Sequence, residues 1–154
     1  MPKRSAGLVM YRRSGAGLEV LLVHPGGPFW VNKDDGAWGI PKGECAEGED
    51  PLAAARREFE EETGFEPAGP FLELGSFRQS SAKTISAWAV EGNFDPSQLR
   101  SNTFSMQWPP RTGRLQEFPE VDRAAWFKPD EAARKILKGQ RGVLDALAAK
   151  IDNV

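Results

Sequence analysis

Val20-Leu21-Leu22-Val23 is an unbroken apolar run, the pattern of a strand covered on both faces. It lies within Leu18 to His24, and Ala6 to Arg12 precedes it; together they predict two strands joined by a turn at Ser14-Gly15-Ala16-Gly17. Pro25-Gly26-Gly27-Pro28 ends the second strand. A loop through Asn32 to Gly36 and a short strand at Ala37 to Ile40 are expected before Pro41. The period then becomes helical: Leu52, Phe59 and Thr63 share a narrow stripe, with Ala55 beside it. Asp50 suits an N-cap, Pro51 the first helical position and Gly64 the position past the C-terminus, so a helix is predicted over Pro51 to Thr63. Phe71 to Gln79 and Thr84 to Glu91 predict strands across a polar turn at Ser80 to Lys83. Arg100 to Pro119, with Trp108-Pro109-Pro110 and Thr112-Gly113, has no regular pattern and is expected to be irregular. Val121 to Phe127 predicts a strand, Pro129 to about Leu137 a short helix, and Gln140 to Ile151 an amphipathic helix with Val143, Leu144, Leu147 and Ile151 on one face. No repeat or low-complexity tract interrupts the series, so one mixed α/β domain over residues 1–154 is expected.

Composition narrows the chemistry. The chain has 154 residues, 40% of them hydrophobic, enough to bury roughly 70% of its unfolded surface without a disulfide or structural metal. Lys and Arg total 20 against 22 Asp and Glu, which argues against a general nucleic-acid-binding surface. Cys45 is the only cysteine and His24 the only histidine. An intramolecular disulfide and a Cys/His zinc site are therefore excluded, and any metal must be held mainly by oxygen. No apolar run approaches the ~20 residues needed to span a bilayer. Ala6 to Met10 is too short for a signal-peptide core. A soluble cytoplasmic protein with no membrane partner is the expectation.

The densest chemistry lies on the predicted helix. Glu58 and Glu62 are one turn apart and Glu61 adjoins them, on a face away from the apolar stripe; Glu60 points elsewhere, toward solvent. A Glu run alone usually marks a solvated face. Three carboxylates this close repel one another, however, and a bound Mg2+ or Mn2+ is the simplest compensation. Arg57 can pair with Glu61 at i, i+4. An acidic face that holds a divalent cation suits metal-bridged phosphate chemistry.

Gly43, Glu49, Arg57, Glu58, Phe59, Glu61, Glu62, Gly64 and Phe65 match a longer pattern. It resembles the Nudix box: Gly, five residues, Glu, seven residues, Arg-Glu, an apolar residue, any residue, Glu-Glu, any residue, Gly and an apolar residue. At residue frequencies of roughly 6%, its seven fixed positions match by chance about once in a million such chains. The resemblance implies an α/β/α sandwich around a mixed β-sheet. It also implies hydrolysis of a nucleoside diphosphate linked to another moiety, with Mg2+ or Mn2+. By motif position, Glu58, Glu61 and Glu62 are expected metal ligands, and Glu61 or Glu62 also activates water. The backbone carbonyl of Lys42 is a further expected ligand, and Arg57 and Glu49 orient the box. Many members of the family recruit another acid from a loop outside the box, for which Glu120 is the first choice and Glu117 the second.

On the substrate side, Phe29, Trp30, Trp38 and Trp108 are candidate surfaces for a base, with Trp38 nearest the box. Lys42 is the leading candidate for phosphate, with Lys33, Arg78 and Lys83 behind it. His24 reads as a strand-end residue, and Cys45 lacks the basic partner a thiol nucleophile needs. The expected partner is a nucleotide-type small molecule: a nucleoside triphosphate, a dinucleoside polyphosphate or a nucleotide sugar. Two other functions fit the same scaffold, a non-catalytic nucleotide-binding module and an isoprenoid-diphosphate isomerase. The second would need a cysteine or acid placed to protonate carbon.

Overall fold

The structure, a computed structural model, describes residues 3–15 and 17–152. Its strands are β1 (Lys3–Ser14), β2 (Gly17–Pro25), β3 (Lys42–Glu44), β4 (Phe71–Ser80), β5 (Lys83–Glu91), β6 (Thr103–Gln107), β7 (Leu115–Pro119) and β8 (Val121–Phe127). Its helices are α1 (Pro51–Thr63), α2 (Pro129–Lys135) and α3 (Arg141–Asp152), with 3-10 turns at Pro96–Gln98 and Lys138–Gln140. The main sheet runs β4-β5-β1-β2-β8, and β3 adds to β1. β5 lies parallel to β1, whereas the other pairs are antiparallel, so the sheet is mixed.

Side-chain alternation along the central strands builds two cores, because successive residues of a strand face opposite sides. Leu8, Met10, Leu21 and Val90 meet Ala54, Ala55 and Phe59 of α1 on one face. Val9, Tyr11, Val20, Leu22, Ile85, Ala87 and Ala89 meet Ala132, Val143, Leu147 and Ile151 of α2 and α3 on the other. The unbroken apolar run of β2 is thus explained: helices cover both of its faces. The architecture is an α/β/α sandwich around a mixed sheet. Among the described residues, no helix is long and apolar enough to cross a membrane.

The ends of α1 follow from its sequence. The Asp50 side chain accepts from the Ala53 N–H at 3.1 Å, and Gly64 takes the left-handed conformation with φ 80°. Thr63 Oγ1 donates back to the Phe59 carbonyl at 2.7 Å, so its hydroxyl is satisfied inside the apolar layer.

Three expectations change. Ala37 to Ile40 forms single bridges, Val23 to Gly39 and Trp38 to Ile136, rather than a strand. Pro41 has no N–H to continue a ladder, but its carbonyl accepts from Leu8 N–H at 3.1 Å. Regular pairing then resumes as β3, opposite Ser5 to Gly7. Secondly, the 100–119 segment contains a hairpin: β6 pairs with β7, and Phe104 stands opposite Phe118 with ring centroids 6.0 Å apart. Most hairpin side chains are exposed, which is why no buried stripe marks it in the sequence. Thirdly, the last helix begins at Arg141, and Gln140 lies in the preceding 3-10 turn. The predicted turn at Ser14 to Gly17 includes Ala16, which lies outside the described residues.

The cap of α1 matters because this helix carries the carboxylates. Asp50→Ala should destabilise the fold by about 1 kcal/mol, read as a lower urea midpoint at unchanged m-value. Asp50→Asn should stay near wild type, since it keeps an acceptor. Equal losses in both variants would show that the cap bond is not what holds this helix end.

Candidate active site

The site grows from the junction of β3 and α1. Glu58 lays its carboxyl group against Gly43, where any Cβ would collide with it. This contact is the physical reason for a glycine at that position. One turn later Glu62 points inward, 8% exposed, and its Oε2 accepts from the Lys42 N–H at 3.3 Å. Both carboxylates are therefore set against the β3 backbone.

Arg57 organises the outer side. Its Nε and Nη2 donate to the two oxygens of Glu49 at 2.9 and 3.1 Å, a bidentate pair. Its Nη1 donates to Glu58 Oε1 at 2.9 Å and to both oxygens of Glu61 at 3.3 Å. Glu49 also accepts from the Ala46 N–H at 2.9 Å, which folds the loop back on itself. Glu60, between these residues in sequence, is exposed.

The electrostatics record a crowded acidic site. Burial, then the charge of Glu58, pushes the Glu62 carboxyl up to about 8. Burial and then Glu61 raise Glu58. The bond to Arg57 instead lowers Glu49. Burial lowers the half-buried Lys42 ammonium, against the opposing pull of Glu62 and Glu58. In this arrangement no three acids among the described residues converge on one metal position: Arg57 bonds Glu58 and Glu61, and Glu62 turns to the Lys42 N–H. The donor set still fits a hard divalent cation. It is all oxygen, excess in negative charge and partly desolvated, and a cation would relieve the repulsion that now raises Glu58 and Glu62.

Backbone bonds bring Glu120 to the same place. Arg100 N–H donates to Thr63 O at 2.9 Å and Asn102 N–H to Glu61 O at 2.8 Å, which docks the root of the β6-β7 hairpin on the end of α1. Glu120 N–H then donates to Asn102 O at 2.8 Å, and Gly26 N–H to Glu120 O at 2.9 Å. Glu120 is close enough to raise both Glu58 and Glu62. Glu117 is directed elsewhere and accepts from Thr103 Oγ1 at 2.8 Å.

A cavity of about 260 Å³ opens beside this cluster. Lys42, Glu62 and Glu120 form its charged end, Val23, Ile40, Val121 and Leu137 contribute apolar wall, and Trp30 and Gln140 also line it. Trp38 does not line it, and its expected role as a base-stacking surface is corrected by its packing. It is 4% exposed, its Nε1 donates to Asp34, and its ring is edge-on to His24 and Phe127 with Arg123 above it. Phe29, 59% exposed, packs edge-on against Trp108, whereas Trp30 reaches the cavity itself. His24 is buried between Asp122 Oδ1, 2.8 Å from Nδ1, and the Lys33 carbonyl, to which its Nε2–H donates at 2.6 Å. It ties the loop after β2 to β8. Arg78 and Lys83 are exposed, and of the two only Lys83 is close enough to influence Lys42. Burial pushes the Cys45 thiol up, the reverse of what a nucleophile requires.

A sequence model of the NUDIX domain matches residues 1–147. The chain belongs to the Nudix family. A curated relative, Nudix hydrolase 10 of Arabidopsis thaliana, is 34% identical over 98 residues, which cover 64% of this chain and 31% of that protein. Solved Nudix-fold structures align over nearly the whole chain. A Caenorhabditis elegans Ap4A hydrolase binary complex has TM-score 0.66 at 21% identity, covering 99% of both chains. The NUDIX domain of Shewanella oneidensis NrtR complexed with ADP ribose has TM-score 0.66 at 15% identity, covering 98% of this chain and 89% of that one. A Listeria innocua mutT/nudix family protein has TM-score 0.65 at 19% identity, covering 99% and 96%.

The Nudix box thus occupies β3, the following loop and α1. The cavity residues that pattern reading missed are Val121, Leu137 and Gln140. No local signal marks Gln140, since a glutamine before a helix has the look of a surface residue.

The Glu62 shift has a testable sign. Its folded value lies above the ordinary 4.5 of a free glutamate, so the folded state holds the proton more tightly and its advantage is lost as pH rises between them. In EDTA, stability should fall by a few kcal/mol from about pH 5 to pH 8. Glu62→Gln should flatten most of that slope, leaving the smaller part due to Glu58. Flat or rising wild-type stability across this window would contradict the burial described.

Proposed function

We propose that this Nudix chain, working as one domain, is a divalent-metal-dependent pyrophosphohydrolase. It splits the diphosphate linkage of a nucleoside diphosphate joined to a second moiety. The observation that carries the reading is a buried Glu62 beside Glu58, at the charged end of a cavity that Lys42 also lines. Glu58, Glu61 and Glu62 would hold Mg2+ or Mn2+, with the Lys42 carbonyl and Glu120 as further ligands. When bound, the cation polarises phosphoryl oxygen and lowers the pKa of coordinated water.

Each residue of the chain then has a definite task. Arg57 keeps Glu58 and Glu61 oriented and offsets their charge. The Lys42 ammonium meets the phosphate chain at the cavity mouth. Glu62, the box carboxylate that lines the cavity, takes the proton as water oxygen attacks phosphorus and the bridging P–O bond breaks. The nucleoside monophosphate leaves as one product. ADP ribose in the NrtR complex and Ap4A as the named substrate of the worm enzyme support the nucleotide class.

The test is a panel of ADP ribose, Ap4A and nucleoside triphosphates with Mg2+ and Mn2+ in 18O-labelled water. Label should enter a product phosphate. Glu62→Gln should lower kcat ~10²–10⁴-fold, Glu61→Gln should also lower it, and Glu60→Gln should leave it unchanged. Comparable losses in Glu60→Gln and Glu61→Gln would refute the assigned helix face. Tight nucleotide binding with no cleavage under any metal would transfer the reading to a binding module. Rearrangement of an isoprenoid diphosphate with its diphosphate intact would transfer it to an isomerase.

A further inference from the structure

Among the described residues that line the cavity, every main-chain N–H is already in use. Val23 N–H donates to Gly39 O at 2.9 Å and Gly39 N–H to Val23 O at 3.0 Å, while Ala37 N–H donates to Asp34 O at 2.9 Å. Leu137 N–H donates to Trp38 O at 2.7 Å, and Gln140 N–H to Leu137 O at 2.9 Å. Ile40 N–H is held by Gln140 Oε1 at 3.0 Å, Lys42 N–H by Glu62, and Val121 N–H by Ser101 Oγ at 2.9 Å. Trp30 N–H donates to Gly27 O at 3.3 Å and Glu120 N–H to Asn102 O at 2.8 Å. Glu62 lies within α1, and Pro25 has no N–H to offer. Gln140 is 0% exposed, so its amide is out of reach of a bound molecule. The donors left among these residues are the Lys42 ammonium, at the charged end, and the Trp30 indole.

We propose that Trp30 is the platform on which the base of the substrate stacks, and that the chain takes adenine and guanine nucleotides alike. The inference rests on the nucleotide reading above and adds how the base is held. Trp30 is the one aromatic among the described residues that line the cavity, and it is 36% exposed. Val23, Ala37, Ile40 and Val121 on the same wall are buried, so the Trp30 ring is the large apolar surface left open to contact. The loop that carries it is tied at several points. Lys33 N–H donates to Trp30 O at 3.0 Å, His24 Nε2–H to Lys33 O at 2.6 Å, and Gly26 N–H to Glu120 O at 2.9 Å. Phe29 adds its edge-on contact with Trp108, ring centroids 5.5 Å apart. A platform held in this way loses little freedom when a ligand arrives, and the Gly26 bond sets its loop against the charged end. Stacking engages the face of a base, which every base has. Telling one purine from another requires edge contacts, and a bidentate contact to either edge needs a donor, because N7 accepts in both. No main-chain donor is free to supply it, and a polar edge driven unpaired into apolar wall would weaken binding. The base therefore keeps its face on Trp30 and its edge in water.

AMP and GMP with Mg2+ test the site without turnover, in titrations followed by ¹H–¹⁵N spectra of the five tryptophan indoles. The Trp30 indole signal should move with both nucleotides. A bidentate edge contact would discriminate by about 5- to 100-fold, so the two affinities should agree within about fivefold. ATP and GTP should show the same agreement in kcat/KM with Mn2+. Trp30→Ala should weaken both nucleotides and lower both kcat/KM values by a common ~5- to 100-fold, mostly through KM. Trp30→Phe, which keeps a ring, should recover most of that loss. A larger preference for either purine in the wild type, unchanged affinity in Trp30→Ala, or equal losses in Trp30→Ala and Trp30→Phe overturns the proposal. Should the variants fail to fold, the wild-type spectra decide it, since a Trp30 indole signal that stays still with either nucleotide refutes the platform. Cleavage of ATP and GTP that ignores Trp30→Ala would sink this proposal and leave the hydrolase standing. Trp30-dependent binding of both nucleotides with no cleavage of any diphosphate would do the reverse.

Discussion

The Arg57 guanidinium is the constraint on which the site depends. Glu49, Glu58 and Glu61 come from a loop and from two positions on α1, and each bonds to that one planar group. Arginine is suited to this because its donors form a rigid fork that can serve several oxygens at once, and it stays charged whatever surrounds it. The Glu49 bond and the nearby carboxylates raise its affinity for the proton further. A lysine would supply charge without the fixed fork. The loop from Glu44 to Asp50 would then lose the anchor that holds it against α1, and the outer carboxylates would lose their common direction.

What Arg57 does for the outer carboxylates, backbone bonds do for the rest. Glu62 is set by a β3 N–H. Glu120 is set by a chain of main-chain bonds that starts at the α1 carbonyls of Glu61 and Thr63. The hairpin root therefore ties the position of Glu120, beside Glu58 and Glu62, directly to α1. The two halves of the charged end come from segments nearly sixty residues apart, yet they share one helix end as their reference.

Different parts of this arrangement were legible in the sequence for different reasons. α1 was readable to the residue, because Asp50, Pro51 and Gly64 mark its ends chemically and Phe59 and Thr63 mark its buried face. The carboxylate cluster followed from helical spacing alone, and the matching glycine and arginine tied it to a family. Trp38 misled, because nearness to the box in sequence says nothing about which way a ring faces; pairing with His24 and Phe127 turned it into the core. The β6-β7 hairpin was hidden because its strands bury little, and alternation is informative only where one face is covered. Gln140 was beyond reach of any local rule. Its partner Ile40 lies 100 residues away in the chain, and the packing of the whole α2-α3 layer brings the two together.

Two glycines, Gly39 and Gly43, show how closely the site is built. At Gly43 the missing side chain is replaced by the Glu58 carboxyl, and at Gly39 by the Gln140 amide. Each polar group rests on bare backbone, where an alanine would push it away or force the strand to shift. Gly39 pairs with Val23 on β2, and Gly43 pairs with Ala6 on β1. Both groups are thereby referenced to the sheet at its best-packed point rather than to a loop. A protein interior transmits strain because it is packed as densely as a crystal. The two contacts lie on either side of Pro41, where the chain bends, and each is fixed by its own pairing to the sheet.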